Sequence, residues 1–162
     1  MEITTEQVKQ LRDKTGISVM QCKKALEETG GDMDKAVVIL LERSADIANK
    51  KSGRTLGAGY ISTYVHSTGT VGVMLELLCE TDFVAKNDEF KALARDIAMH
   101  ITATNPKFIK VEDAGEEKEE ALLEQAFIKN PEVTIKNLLE SATQKFGEKI
   151  ELSRFVRYSV AE

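Results

Sequence analysis

The chain has two cysteines, two histidines, two prolines and no tryptophan among 162 residues, and these scarcities narrow what it can be. Cys22 and Cys79 stand far apart with no CxxC pair, a pattern of free, packed thiols in a reducing compartment. His66, at a strand end, and His100, at the margin of the helical stripe from Phe90 to Ile101, are not joined by an HExxH, a Cys/His cluster or a GxSxG elbow, so no metal site and no nucleophile-base-orienter set is expected. With two prolines, 42% hydrophobic and 30% charged residues, the chain reads as folded and not as disordered. No apolar run approaches the roughly 20 residues that span a bilayer. Met1-Glu2-Ile3-Thr4-Thr5-Glu6 lacks the basic-then-apolar signature of a signal peptide, so a cytoplasmic protein away from membranes is expected. Basic charge is also short. A net charge of −5 argues against nucleic acid as a partner, because that affinity rests largely on basic side chains releasing counterions from phosphates. The partner is expected to be a protein.

Three helical segments open the chain. Thr4 with Gln7 forms a capping-box pattern ahead of Val8 and Leu11, and Gly16 ends the segment. Ser18 with Gln21 starts a second, with Cys22, Ala25, Leu26 and Thr29 on one stripe before Gly30-Gly31. Asp32 caps a third, with Met33, Ala36, Val37, Leu40 and Leu41 inward. At about 100° per residue, Met20 points away from the Cys22/Ala25/Leu26 stripe and shares the outer face with Lys23 and Lys24. That face is either a contact surface or a solvated one with a stray apolar residue. The polar, basic stretch Ala45 to Gly53 reads as a linker or helix tail, which sets domains of 1–53 and 54–162.

The second domain reads as α+β. Tyr60 to His66 alternates as a strand, Ser67-Thr68-Gly69 turns, and Val71, Val73, Leu75, Leu77 and Cys79 form one face of the next strand. Gly57-Ala58-Gly59 precedes a strand and lacks a following Lys-Ser/Thr, so it reads as strand-edge or bulge glycine and not as a phosphate cradle. Asn87 caps a helix with Phe90, Leu93, Ala94, Ile97, Ala98 and Ile101 inward, ended by Asn105-Pro106. Glu116 to Glu124 is expected as a charged surface helix. Thr134 caps another helix, with Ile135, Leu138, Leu139, Ala142 and Phe146 inward and Gly147 after it. Lys149 to Val160 alternates as a third strand, giving a three-stranded antiparallel sheet packed with helices.

Between the second strand and the helix capped by Asn87 lies Glu80-Thr81-Asp82-Phe83-Val84-Ala85-Lys86-Asn87. Strand-to-helix junctions lie at surfaces and often carry function. Here an acid and a large aromatic occupy positions where turn residues are the default. Two readings fit. As a cap and a core residue, Phe83 would cost about 3–5 kcal/mol on truncation; as a contact residue, it would tolerate truncation in the free protein.

These eight residues resemble the signature of bacterial elongation factor Ts. The likeness extends through Leu11-Arg12-Asp13-Lys14-Thr15-Gly16, Cys22-Lys23-Lys24-Ala25-Leu26, Gly31-Asp32, Tyr64-Val65-His66, Asp96 to Ile101, Phe127 to Pro131 and the closing Arg154 to Glu162. Leu78, Ala58 and Ala161 depart from residues frequent in that family. The resemblance implies a ubiquitin-associated-like module of three helices ahead of the core. It also implies a guanine-nucleotide exchange factor of protein biosynthesis that is not itself an enzyme and needs no cofactor. Thr81, Asp82, Phe83 and Val84 would dock on the GTPase domain of elongation factor Tu and disturb its magnesium site, while Val19, Met20, Lys23 and Lys24 would bind that domain from the helical module. Long members carry a duplicated core for which residues 107–148 leave no room, and short members are understood to act as homodimers. The alternative is a protein-binding adaptor without exchange activity.

Overall fold

A computed structural model describes residues 2–116 and 121–160, and the expected α+β class is found. Three helices come first, α1 (Thr5–Thr15), α2 (Val19–Glu28) and α3 (Met33–Lys50). Each starts where a short polar side chain accepts a main-chain N–H: Thr4 from Gln7, with the reciprocal bond of a full capping box, Ser18 from Gln21 and Asp32 from Lys35. Gly16 ends α1 at φ 70°, a left-handed value that costs glycine little. Val8, Leu11, Ile17, Cys22, Ala25, Leu26, Ala36 and Leu40 form the core of this bundle. Burial pushes the Cys22 thiol pKa up, against the hydrogen bond with Thr15 and the charge of Arg12. Beyond Ala45 the chain stays helical to Lys50, so the linker-like composition belongs to a helix tail.

Two compact units make up the chain. One contains Met1–Gly53 and Asn137–Glu148, the other Arg54–Lys136 and Lys149–Glu162. In the first, Ser44 on α3 hydrogen-bonds Gln144 at 2.6 Å.

The second unit is built on a three-stranded antiparallel sheet, β1 (Ala58–Val65), β2 (Val71–Cys79) and β5 (Glu151–Ser159), with β2 in the middle. Two helices follow β2: the single turn α4 (Asp82–Ala85) and the long α5 (Asp88–Thr104). Phe90, Ala94, Ile97, Ala98 and Ile101 of α5 are buried, as are Val73, Leu75, Leu77 and Cys79 of β2. Successive strand residues face opposite sides, so one face of the sheet is covered and the other bare. On the covered side Lys91 and Arg95 lie over the rings of Tyr60 and Tyr64, 5.6 and 5.9 Å from their centroids. Arg157 donates to the main-chain oxygen of Thr102, a cation at a helix C-terminus.

After α5 come one turn of helix, α6 (Val111–Ala114), and a two-stranded ribbon, β3 (Ala126–Phe127) with β4 (Asn130–Thr134), before α7 (Ile135–Phe146). Of the charged helix expected over Glu116 to Glu124, residues 117–120 lie outside the described residues, and Leu122–Glu124 form a 3₁₀ turn with Leu122 buried. His100, read from the sequence as marginal, is fully buried and ties α5 to the ribbon. Its Nε2 lies 2.8 Å from Gln125 Oε1, and its Nδ1 accepts the N–H of Ile128. Nε2 therefore carries the proton, and burial holds the imidazole pKa below its usual value, against the Gln125 bond.

Candidate functional site

The junction after β2 is tight. Only Glu80 and Thr81 separate Cys79 at the strand's end from Asp82 at the start of α4. Thr81 is extended and its hydroxyl accepts the N–H of Val84, which starts a single helical turn. The main chain closes that turn with bonds from Ala85 to Thr81, Lys86 to Asp82 and Asn87 to Val84. Asn87 then caps α5 by accepting from Glu89 at 2.8 Å. The sequence marks this second cap, and Thr81, three residues before Val84, carries the same signal for the turn ahead of it.

A one-turn helix cannot bury all its sides. Val84 and Ala85 turn inward, 4% and 6% exposed, and anchor the turn. Phe83 is thereby aimed outward and is 86% exposed, which excludes the core reading of this residue. Asp82 is exposed beside it. Of the four residues expected in contact, Thr81 shapes the turn, Asp82 and Phe83 face solvent, and Val84 belongs to the interior.

Glu80 opens the junction, directly after β2. Its Oε2 accepts the main-chain N–H of Lys149 at 2.8 Å and lies 3.4 Å from Arg54 Nη1. Strand β1 also approaches closely here. A Cβ on Gly57 would stand 3.1 Å from the Glu80 main-chain oxygen, and one on Gly59 only 2.8 Å from Leu78 Cδ2. The glycines serve close strand packing, with the departing residue Leu78 lying over one of them.

The second candidate set starts α2. Val19 and Met20 follow the Ser18 cap; Met20 is 82% exposed, and Lys23 and Lys24 share its exposed face. Lys23 meets Glu27 at 3.8 Å, an exposed pair worth little. This set belongs to the first unit and the α4 turn to the second.

A third feature is the bare sheet face. Ile61, Val65, Met74, Val156 and Tyr158 are exposed there. The register aligns Thr63, Met74 and Val156 in one cross-strand row and Val65, Gly72 and Tyr158 in the next. At one side of this apolar field Glu76 takes hydrogen bonds from Ser153 and Arg154, which hold its carboxyl below the usual range. Among the described residues no group of three or more His, Cys, Asp or Glu could hold a metal ion, and no helix is long and apolar enough to cross a membrane.

Comparison with known proteins matches the sequence to one family. A sequence model described as Elongation factor TS matches residues 8–118, a span containing both the α2 set and the α4 turn. The Elongation factor Ts of Carboxydothermus hydrogenoformans is 42% identical, over 99% of this chain and 90% of its own length. That of Thermodesulfovibrio yellowstonii is 43% identical, over 100% of this chain and 98% of its own. These alignments run over 195 and 196 positions, more than the 162 residues of this chain, so the relatives carry positions inside the matched span with no counterpart here. The chain belongs to the elongation factor Ts family, a family of translation elongation factors.

Proposed function

We propose that the chain binds elongation factor Tu in its GDP state and promotes GDP release, with Phe83 as a wedge and Asp82 as a competitor for the polar contacts that order the partner's magnesium and phosphate region. The observation that carries this reading is the exposure of Phe83 on a turn pinned from beneath by Val84 and Ala85. A free protein that holds a phenylalanine out in water on a rigid support is preorganised to insert it, so little ordering cost remains at binding. Val84 contributes through the support and not by contact.

Val19, Met20, Lys23 and Lys24 supply affinity and orientation on the GTPase domain. The chemistry is exchange without covalent steps, performed in the cytoplasm without a cofactor of its own. Coupling between the two ligands is reciprocal. A factor that weakens GDP binding is itself held more weakly when nucleotide is present, so incoming GTP expels it.

The bare sheet face is the surface on which a second copy would pack to form a homodimer. Its apolar field is flanked by Glu76 and Arg154, which can be matched by the same pair on a two-fold related copy. Sedimentation of wild type and a Met74→Glu variant checks this: a dimer that the charge converts to monomer is expected, and a monomeric wild type sinks the assignment.

The exchange reading is tested by release of fluorescent GDP from elongation factor Tu. Wild type is expected to accelerate release. Phe83→Ala, folded as well as wild type, is expected to lose about 30-fold of the saturating rate, corresponding to the ~2 kcal/mol of a truncated aromatic anchor. No acceleration by wild type leaves the adaptor; equal acceleration by both removes Phe83 from the mechanism.

A further inference from the structure

We infer that Glu80 is a positioning residue for the α4 turn: its carboxylate clamps the ends of the sheet together so that the turn bearing Phe83 keeps one orientation. The inference rests on the exchange reading for its consequence, but its geometry stands by itself.

Two residues connect β2 to α4 and they divide the work. Thr81 acts locally, capping the turn through its hydroxyl and accepting from the Cys79 thiol at its carbonyl. Glu80 reaches across. Its Oε2 takes the N–H of Lys149, 69 residues away and two residues ahead of β5, and the same oxygen stands near Arg54, four residues ahead of β1. One carboxylate oxygen therefore gathers the same end of all three strands. The side chain is 19% exposed, so the charged hydrogen bond from the main chain is partly sheltered from water and correspondingly strong. Gly57 passes close to the Glu80 carbonyl, so the β1 approach also meets this residue at its main chain.

The residues held are not arbitrary. Arg54 and Lys149 are the residues at which the chain enters the second unit on its two passages from the first. The Glu80 carboxylate thus stands between those connections and the turn that carries Phe83. Between the Lys149 N–H and the Arg54 guanidinium, the Lys149 N–H is decisive. It is closer, its direction is fixed by the backbone, and without an acceptor it would be stranded, whereas the Arg54 side chain is about half exposed and screened.

The test uses the full chain as wild type, Glu80→Ala, Glu80→Gln and Arg54→Ala. Amide hydrogen exchange is read at Ala85, Lys86 and Asn87, and GDP release from elongation factor Tu is read across chain concentrations. Glu80→Ala is expected to speed exchange at these three amides about tenfold relative to the amides of α1 to α3, as loss of one fixing contact does locally. It should also lower the saturating release rate about tenfold with the half-saturating concentration within about twofold. Glu80→Gln keeps an oxygen for the Lys149 N–H and is expected to restore most of both; Arg54→Ala is expected to change neither. Unchanged amide exchange in Glu80→Ala overturns the inference, as does a uniform rise over the whole molecule or a Glu80→Gln variant as impaired as Ala. If wild type releases no GDP, the exchange reading fails, and amide exchange alone still decides whether Glu80 holds the turn.

Discussion

Met20 and Phe83 occupy the same place in their respective helices. Each is the second residue after a hydroxyl cap, Ser18 for α2 and Thr81 for α4, and each is more than four-fifths exposed. The difference lies beneath them. Met20 starts a helix of ten residues whose other face, Cys22, Ala25 and Leu26, is buried in the helical core, and lysines surround it on the outside. Phe83 stands on four residues held by two small anchors, a threonine cap and the Glu80 clamp next to them. A flexible thioether among lysines suits an adaptable contact that adds affinity. A stiff ring on a braced turn suits a contact that must displace something. Equal exposure does not imply equal work.

Substitutions sharpen or break this contrast. The largest effect is expected from Phe90, seven residues beyond Phe83 and fully buried. Phe90→Ala should cost about 3–5 kcal/mol of unfolding free energy, whereas Phe83→Ala should stay within about 0.5 kcal/mol of wild type; chemical denaturation measures both. A large stability loss in Phe83→Ala would erase the distinction between support and wedge. Next comes the loss of about 30-fold in saturating GDP release predicted for Phe83→Ala. The smallest effect belongs to Met20→Ala. It should raise the half-saturating concentration roughly five- to tenfold, about 1 kcal/mol or slightly more, with the saturating rate unchanged. A Met20 variant that lowers the saturating rate instead would mean that both residues take part in the same step.

Much of the fold was legible because its signals are local. A cap oxygen and the N–H it accepts are two or three residues apart, so Thr4, Ser18, Asp32 and Asn87 name their helices without reference to the rest of the chain. Alternation from Val71 to Cys79 likewise shows a strand with one buried face. The helix expected to run on to Glu124 is replaced over Leu122–Glu124 by a 3₁₀ turn, since charge periodicity does not reveal the close return of Phe108, whose carbonyl accepts the Leu122 N–H. His100 looked marginal for a similar reason: its partners Gln125 and Ile128 are on the ribbon and not on its own helix.

By itself, then, the sequence determined where helices begin, which strand faces are apolar, and that Asp82 and Phe83 sit at a strand-to-helix junction, because these depend on neighbours within a turn or two. Tertiary structure decided which way Phe83 points, that Asn137–Glu148 groups with the first unit, and that Glu80 reaches Lys149. Those outcomes depend on which distant segments compete for the same buried space and the same hydrogen-bond acceptor, and that competition is resolved only when the chain has closed on itself.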